Sequence, residues 1–332
     1  MDIDLETLRR RIGLAAGALL CVVMLLLPAP EGLDLAAWRT AAVGVLMAIW
    51  WITEALPIPA TALVPLVLFP LLGIADIDGA AAPYANPLIF LFMGGFVVAQ
   101  AMQVWNLHRR IALGIVRGVG TRPTSIIVGF ILASAFLSMW VSNTATALMM
   151  LPIGLSIIDF VQDRLDERGE ALPPHFGIVL VLSIAYACNV GGVGTLIGTP
   201  PNALLAGFFS ESYGVEVGFA RWMMVGLPMV VVSLPLLYVV LTWVYPIELD
   251  ELPGGAQVIE QEWEKLGRMS VAETRVAVVF GLTALLWMTR PLLSDLLPGL
   301  SDAGIAMGAG LLLFLLPSGA EDRALLVWEH AE

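Results

Sequence analysis

The segment that decides the fold reads Asn189-Val-Gly191-Gly192-Val-Gly194-Thr195-Leu-Ile-Gly198-Thr199-Pro200-Pro201-Asn202. It interrupts a run of 35 uncharged residues, 176–210. Glycine is a poor helix former, and a proline inside a helix removes a hydrogen-bond donor and clashes with the preceding turn. Four glycines and two prolines in so short a run therefore predict a helix broken near mid-membrane.

The composition of the chain excludes a soluble globular protein. Hydrophobic residues make up 59 % of the 332 residues, charged residues only 13 %, and the mean hydropathy is +0.89. A soluble protein carries about 25 % charged residues. In a soluble protein the net charge of −12 would argue against nucleic acid as a partner, but in a membrane protein the location of the charges outweighs their sum. No nucleic-acid partner is expected. The sequence therefore predicts an all-α polytopic membrane protein that lies in the lipid bilayer.

Uncharged stretches supply the predicted membrane spans. A helix needs roughly 20 apolar residues to cross a bilayer, or fewer when it is packed among other helices. The stretches cover residues 12–29, 40–53, 55–75, 79–107, 123–158, 176–210, 222–247, 276–289 and 303–320. Two of them, 123–158 and 176–210, are nearly twice as long as one crossing requires.

The positions of the cations predict the orientation. The basic run of residues 9–11 precedes the first stretch, which predicts a cytoplasmic N-terminus. The expected location is the inner (plasma) membrane. If segment 123–158 returns to the side it left, thirteen cations lie inside and only Arg39, Arg221 and Arg290 lie outside. If that segment crossed the membrane once, the cations would divide seven against nine between the two sides. The charges therefore favour a segment that returns to the side it left.

Segment 123–158 carries a polar run at its centre, Trp140-Val-Ser142-Asn143-Thr144-Ala-Thr146. Two structures fit this pattern. One is a pair of full crossings joined by a tight external turn, with the polar side chains as helix caps. The other is a re-entrant hairpin with a polar tip inside the membrane. The broken segment that follows favours the hairpin, because two interrupted segments in succession are typical of a transporter binding site.

The residue types at the two interruptions suit a cation together with an anion. Side-chain oxygens and freed backbone carbonyls are the hard ligands that sodium prefers, whereas helix N-termini and threonine or asparagine donors suit carboxylates. No Lys or Arg occurs between Arg122 and Arg164, or between Arg168 and Arg221. An anion bound there needs the cation for charge balance, which predicts obligatory coupling.

The order of the segments predicts an inverted repeat and four regions. These are residues 1–37, an N-terminal tail and first span; 38–121, scaffold spans and a cytoplasmic surface helix; 122–246, a transport part; and 247–332, a linker and the first two spans of a second repeat. The first copy has an odd number of crossings, so the second begins on the opposite side. Only 16 residues follow Leu316, so we expect the second repeat to be incomplete.

The basic stretch 105–121 reads as the surface helix of the second region. Its pattern predicts one face toward lipid, formed by Leu107, Ile111, Leu113 and Val116, and one toward headgroups, formed by His108, Arg109, Arg110 and Arg117. A second surface helix is predicted at residues 257–269.

Three motifs resemble the divalent anion/sodium symporter family, which comprises sodium-dicarboxylate and sulfate transporters. They are Ser142-Asn143-Thr144 within 138–152, the glycine-rich run 191–202, and the stretch from Phe90-Leu-Phe-Met-Gly94-Gly95-Phe to Leu107-His108-Arg109-Arg110. They occur in the family's order and match its N-terminal two-thirds. The resemblance implies a homodimer with a scaffold and a mobile transport domain, which carries sodium and a divalent anion by an elevator-type motion. The expected anion is a C4-dicarboxylate such as succinate.

The resemblance and the residue chemistry together give the candidate site. The expected sodium ligands are Ser138, Ser142, Asn143, Gly191 and Gly194. The expected substrate-binding residues are Ser142, Asn143, Thr144, Thr199 and Pro201. Sodium is the expected coupling ion.

Several alternatives stay open at this point. Within the family, one alternative is that the substrate is sulfate or a tricarboxylate and not a dicarboxylate. Another is that the protein works as an exchanger and not as a symporter. A truncated fragment that inserts without transporting is another reading. An intramembrane enzyme is disfavoured, because His108, His175 and His330 all fall outside the apolar stretches and offer no catalytic residue within the membrane.

Overall fold

The computed structural model describes residues 5–120, 122–249, 252, 254–319 and 323–330. These residues form fifteen α-helices and two short 3₁₀ helices, Ala82–Ala85 and Trp328–His330. The α-helices are α1 (Leu5–Leu26), α2 (Leu35–Thr53), α3 (Ile58–Ala62), α4 (Val64–Leu71), α5 (Ile77–Ala81), α6 (Pro87–Val104), α7 (Leu107–Val119), α8 (Pro123–Ser138), α9 (Asn143–Asp166), α10 (Pro174–Gly192), α11 (Pro200–Tyr213), α12 (Phe219–Val244), α13 (Gly255–Leu266), α14 (Val271–Leu293) and α15 (Asp302–Leu315).

Six helical segments of the described chain are long and apolar enough to cross a membrane. They are Leu35–Thr53, Ile77–Val104, Asn143–Asp166, Pro174–Gly192, Phe219–Val244 and Val271–Leu293. Three shorter apolar segments accompany them: Ile58–Leu71, Pro123–Ser138 and Asp302–Leu315. Helix α1, which carries the basic run 9–11, is not among the six. The prediction of an all-α polytopic membrane protein is confirmed.

The chain divides into two compact units, Met1–Asn86 and Pro87–Glu332. In the first unit, small residues let α1 and α2 approach closely. A Cβ atom on Gly13 would lie 2.0 Å from Thr53 Oγ1, and one on Gly17 would lie 2.8 Å from the Trp50 ring. The buried Cys21 packs against Ala42 of α2. Such contacts between small residues are the usual way in which membrane helices associate.

The core of the second unit is centred on α8 and α10. Eleven of the sixteen residues of α8 are buried, and its apolar side chains join those of α7, α9, α10, α12 and α13 in one cluster. A separate close contact joins α6 to α15, where a Cβ atom on Gly94 would lie 2.4 Å from the carbonyl carbon of Ala306. Helices α8 and α10 are therefore held by protein on several faces.

Helix α7 packs against protein and not against lipid. Leu107, Leu113 and Val116 are each less than 5 % exposed and contact the core, so the predicted lipid-facing surface is wrong. The approach is close because Gly129 of α8 has no side chain: a Cβ atom there would lie 3.0 Å from Val116 Cα. His108 faces the Met102 carbonyl at 2.9 Å. Burial lowers the pKa of His108, and its ring faces a backbone carbonyl where the pattern predicted a side chain toward the headgroups.

The arginines of α7 pair with glutamates of α13 and α14. The pairs are Arg109 with Glu262, Arg110 with Glu273, and Arg117 with Glu260. The ring of Trp263 lies 5.6 Å from the Arg110 guanidinium and 5.4 Å from that of Arg117. Lys265 and Arg109 lower the pKa of Glu262, which keeps that carboxylate charged. Helices α7 and α13 are thus joined by charge as well as by packing.

Aromatic rings connect the turn after α8 to α12 and α14. The Trp140 ring stacks on Phe219 with centroids 6.1 Å apart, and Phe219 stacks on Trp287 at 4.5 Å. Beside Phe219, the carboxylate of Asp302 accepts from the Phe219 backbone N–H at 2.8 Å and pairs with Arg290 at 3.0 Å. The first turns of α12 and α15 and the last turn of α14 are therefore fixed to one another near Trp140.

Candidate functional site

Two interruptions of regular helix meet in the second unit. Helix α8 ends at Ser138 and α9 begins at Asn143, while α10 ends at Gly192 and α11 begins at Pro200. The Thr195 hydroxyl donates to the Met139 carbonyl and ties one interruption to the other. The two polar runs that are 47 residues apart at Ser142 and Asn189 are therefore neighbours in space.

The oxygens of Ser138, Asn143 and Cys188 converge at this meeting point. Ser138 Oγ is fully buried and lies 2.6 Å from the Cys188 carbonyl oxygen. It also lies within hydrogen-bond distance of Asn143 Oδ1. A serine hydroxyl has one proton, so it can donate to only one of these two acceptors. One oxygen–oxygen contact therefore lacks a proton, and a bound cation would satisfy it.

A chain of hydrogen bonds fixes which way the Asn143 amide points. Asn189 Nδ2 donates to the Ala185 carbonyl at 3.2 Å, so Asn189 Oδ1 faces the other way. Asn143 Nδ2 donates to that oxygen at 3.2 Å. Asn143 must then direct its own oxygen toward Ser138, because the opposite assignment would put two amide oxygens together.

The glycines at the interruption act through the absence of a side chain. A Cβ atom on Gly191 would lie 2.2 Å from the Ala135 carbonyl oxygen, and one on Gly192 would lie 2.5 Å from Asn143 Oδ1. Neither glycine has a positive φ. At these two positions the glycines permit close contact with α8 and with Asn143.

The other predicted residues lie around this cluster. Ser142 is the N-cap of α9 and accepts from the Ala145 N–H at 3.3 Å, and Thr199 is the N-cap position of α11 without a side-chain cap bond. Thr144 and Pro201 are exposed in the first turns of the same two helices. The Gly194 backbone lies against α12, since a Cβ atom on Gly226 of that helix would lie 3.1 Å from the Gly194 carbonyl oxygen. Within the described residues, no hydrogen bond joins Thr144, Thr199 or Pro201 to Ser138.

Three polar residues of the site were missed by sequence reasoning: Asn189, Thr195 and Asn202. All three lie within the segment quoted first. Thr195 is fully buried and Asn202 is 6 % exposed. For Thr195 and Asn202, the signal was that a buried polar side chain needs a partner, and the nearest unpaired partners are the carbonyls that a broken helix leaves. Asn189 is exposed and gave no such signal.

The fold is that of a polytopic membrane protein, and comparison with known proteins gives its family. The chain belongs to the sodium:sulfate symporter family: residues 9–331 match the family described as "Sodium:sulfate symporter transmembrane region". The resemblance to sodium-coupled divalent anion symporters is confirmed.

Curated relatives are similar over nearly the whole chain. The sodium-dependent dicarboxylate transporter SdcS of Staphylococcus saprophyticus is 41 % identical over 330 residues, and SdcS of Staphylococcus aureus strain USA300 is 41 % identical over 328 residues. Each match covers 97 % of this chain and 63 % of the relative. The chain therefore spans somewhat less than two thirds of the length of these relatives.

Proposed function

We propose that the protein is part of a sodium-coupled symporter of divalent anions, with C4-dicarboxylates such as succinate as the substrates. The observation that carries this proposal is the cluster of Ser138, Asn143 and the Cys188 carbonyl, where one hydroxyl proton faces two acceptor oxygens. Neutral oxygen atoms arranged in this way suit a small cation that has no charged side chain as its partner. The 41 % identity to proteins named as sodium-dependent dicarboxylate transporters supports the choice of both solutes.

Sodium is the coupling ion in this proposal and is carried as a substrate. Its ligands are Ser138, Ser142, Asn143, Gly191 and Gly194, through hydroxyl, amide and backbone oxygens. Ser142 and Asn143 begin α9, and Gly191 lies against α8, so three helices contribute to one site. The Gly191 carbonyl also accepts from the Gly194 N–H at 2.8 Å.

The anion binds beside sodium at the N-termini of α9 and α11. The residues that contact it are Ser142, Asn143, Thr144, Thr199 and Pro201. A helix N-terminus carries a partial positive charge of about half a unit, and its unpaired N–H groups suit carboxylate oxygens. No Lys or Arg is available in the sequence between Arg122 and Arg164 or between Arg168 and Arg221, so sodium supplies the balancing charge. Coupling follows, because neither ion binds well alone.

The architecture that we propose extends the helical fold. Helices α8 and α9 form a re-entrant hairpin, α10 and α11 are one broken membrane helix, and the second repeat is inverted and incomplete within this chain. The N-terminus is cytoplasmic in the inner (plasma) membrane, and regions 1–37, 38–121, 122–246 and 247–332 have the roles predicted above. Two chains form a homodimer, in which the transport part moves as an elevator.

Uptake into proteoliposomes tests the proposal. An inward sodium gradient should drive succinate uptake, and replacing sodium by choline should abolish it. Asn143→Ala removes a proposed ligand of both solutes, so uptake and its sodium dependence should be lost while the amount of inserted protein stays normal. Full-rate uptake without sodium, or unchanged uptake by Asn143→Ala, would reject the assignment.

Sulfate is the second candidate substrate, because the family description names it. Competition separates the candidates: unlabelled succinate should inhibit labelled succinate uptake at lower concentration than sulfate or citrate. The reverse order would assign the site to sulfate or to a tricarboxylate. Uptake that requires a dicarboxylate on the other side of the membrane would indicate exchange.

A further inference from the structure

The end of α10 leaves backbone carbonyls that the helix itself cannot pair. Most of them find partners close by. The Gly191 carbonyl accepts from the Gly194 N–H at 2.8 Å, and the Val193 carbonyl accepts from Trp222 Nε1 of α12 at 2.9 Å. The Gly192 carbonyl lies between these two and is paired differently. Its partner comes from the far side of the interruption.

That partner is Asn202, in the first turn of α11. Asn202 Nδ2 donates to the Gly192 carbonyl and to the Thr195 carbonyl, both at 2.8 Å. An amide nitrogen has two protons, so both are used. The side chain is only 6 % exposed, and water does not readily replace these bonds. One amide therefore joins the last residue of α10, the middle of the interruption and the start of α11.

Gly192 connects this amide to the oxygen cluster. A Cβ atom on Gly192 would lie 2.5 Å from Asn143 Oδ1, so the Gly192 backbone is in direct contact with that oxygen. Gly198 packs on the same peptide, because a Cβ atom there would lie 2.4 Å from the Gly192 carbonyl oxygen. A shift of the Gly192 peptide therefore moves both the surface that supports Asn143 and the neighbouring Gly191 carbonyl.

We propose that Asn202 is a positioning residue that sets the affinity for the coupling cation. It does not contact the cation. It holds the Gly192 peptide, and through it the spacing of Asn143 Oδ1 and the Gly191 carbonyl. This inference rests on the proposed function, since it takes these two oxygens as sodium ligands. Loss of the two donors leaves two buried carbonyls unpaired, and the interruption relaxes to find other partners.

Two substitutions test this role. Asn202→Ala removes both donors, and Asn202→Asp keeps the shape of the side chain but turns acceptor oxygens toward two carbonyls. The matched control is Asn106→Asp, which adds the same charge at an exposed residue between α6 and α7 whose side chain makes no cap bond. Asn106 has φ +57°, a conformation that aspartate also tolerates.

The measurements are sodium titrations of the purified protein and of reconstituted uptake. In the first, the melting temperature is followed against sodium at constant ionic strength, with choline as the replacing cation. We expect the sodium midpoint to rise roughly tenfold for Asn202→Ala and further for Asn202→Asp. The succinate concentration for half-maximal uptake at saturating sodium should change by less than about twofold, and Asn106→Asp should match the unsubstituted protein.

The outcomes separate this inference from the proposed function. If the unsubstituted protein shows no sodium dependence in either titration, the proposed function fails and this inference fails with it. If it shows sodium dependence and the Asn202 variants keep the same sodium midpoint, only this inference is overturned, even when their melting temperature falls. Asn202→Ser serves if Asn202→Ala is not recovered. If none of the three Asn202 variants could be purified, Asn202 would be assigned to folding alone, and the inference would also be overturned.

Discussion

At Gly191, the backbone of α10 meets the backbone of α8, and substitution there has a clear expected cost. A Cβ atom would lie 2.2 Å from the Ala135 carbonyl oxygen and 2.4 Å from Ala135 Cα, so helices must move apart. We expect Gly191→Ala to lower the free energy of unfolding by about 2 to 3 kcal/mol. The control is Gly281→Ala in α14, where nothing lies within 4 Å and the change should be neutral or stabilising. If Gly191→Ala and the unsubstituted protein had equal melting temperatures in detergent, the close contact between Gly191 and Ala135 would be contradicted.

The same residues show what a sequence can and cannot predict at this scale. Gly192 and Pro200 end and begin helices where the density of glycine and proline predicted the break, because both effects are local. The pairing of Asn202 with Gly192 was not predictable, because it depends on how the chain folds back across the interruption. The close contact of Gly191 with Ala135 was not predictable either, because it depends on a neighbour that the sequence does not identify.

At the scale of elements, Arg110 organises the turn between α13 and α14. It pairs with Glu273, the third residue of α14, and donates to the carbonyls of Gly267 and Leu266 at 3.1 and 3.3 Å. The Glu273 side chain is 5 % exposed and is also half of a capping box with Ser270. One guanidinium thus satisfies the C-terminus of one helix and the charge at the N-terminus of the next.

Replacing Arg110 should therefore destabilise the protein far more than replacing an exposed arginine. Arg110→Met leaves Glu273 buried without its partner, and we expect a loss of about 3 to 5 kcal/mol in the free energy of unfolding. Arg164→Met is the matched control, because Arg164 pairs with Glu167 at the surface and should contribute less than about 1 kcal/mol. Melting temperatures of the two variants give the comparison, and similar values would argue against a structural role for the Arg110 pair.

Helix α7 shows why patterns predict elements better than their surroundings. Its periodicity predicted an amphipathic helix, which the structure has at Leu107–Val119. The pattern could not say whether the apolar face meets lipid or protein, because both are apolar. Helix α7 meets protein because of residues that are distant in the sequence. Gly129 of α8 allows a close contact, and the glutamates of α13 and α14 supply opposite charges.

At the scale of the whole molecule, the orientation depends on one inference, that segment 123–158 returns to the side it left. Cysteine labelling tests it, and both native cysteines are buried, so the unsubstituted chain serves as the blank. Leu296, after α14, and Met269, before it, are exposed apolar residues on opposite sides of that helix. In intact cells, a thiol reagent that cannot cross the membrane should label Leu296→Cys but not Met269→Cys, and permeabilised cells should label both. The reverse pattern would mean that segment 123–158 crosses the membrane once, and it would overturn the predicted return of that segment.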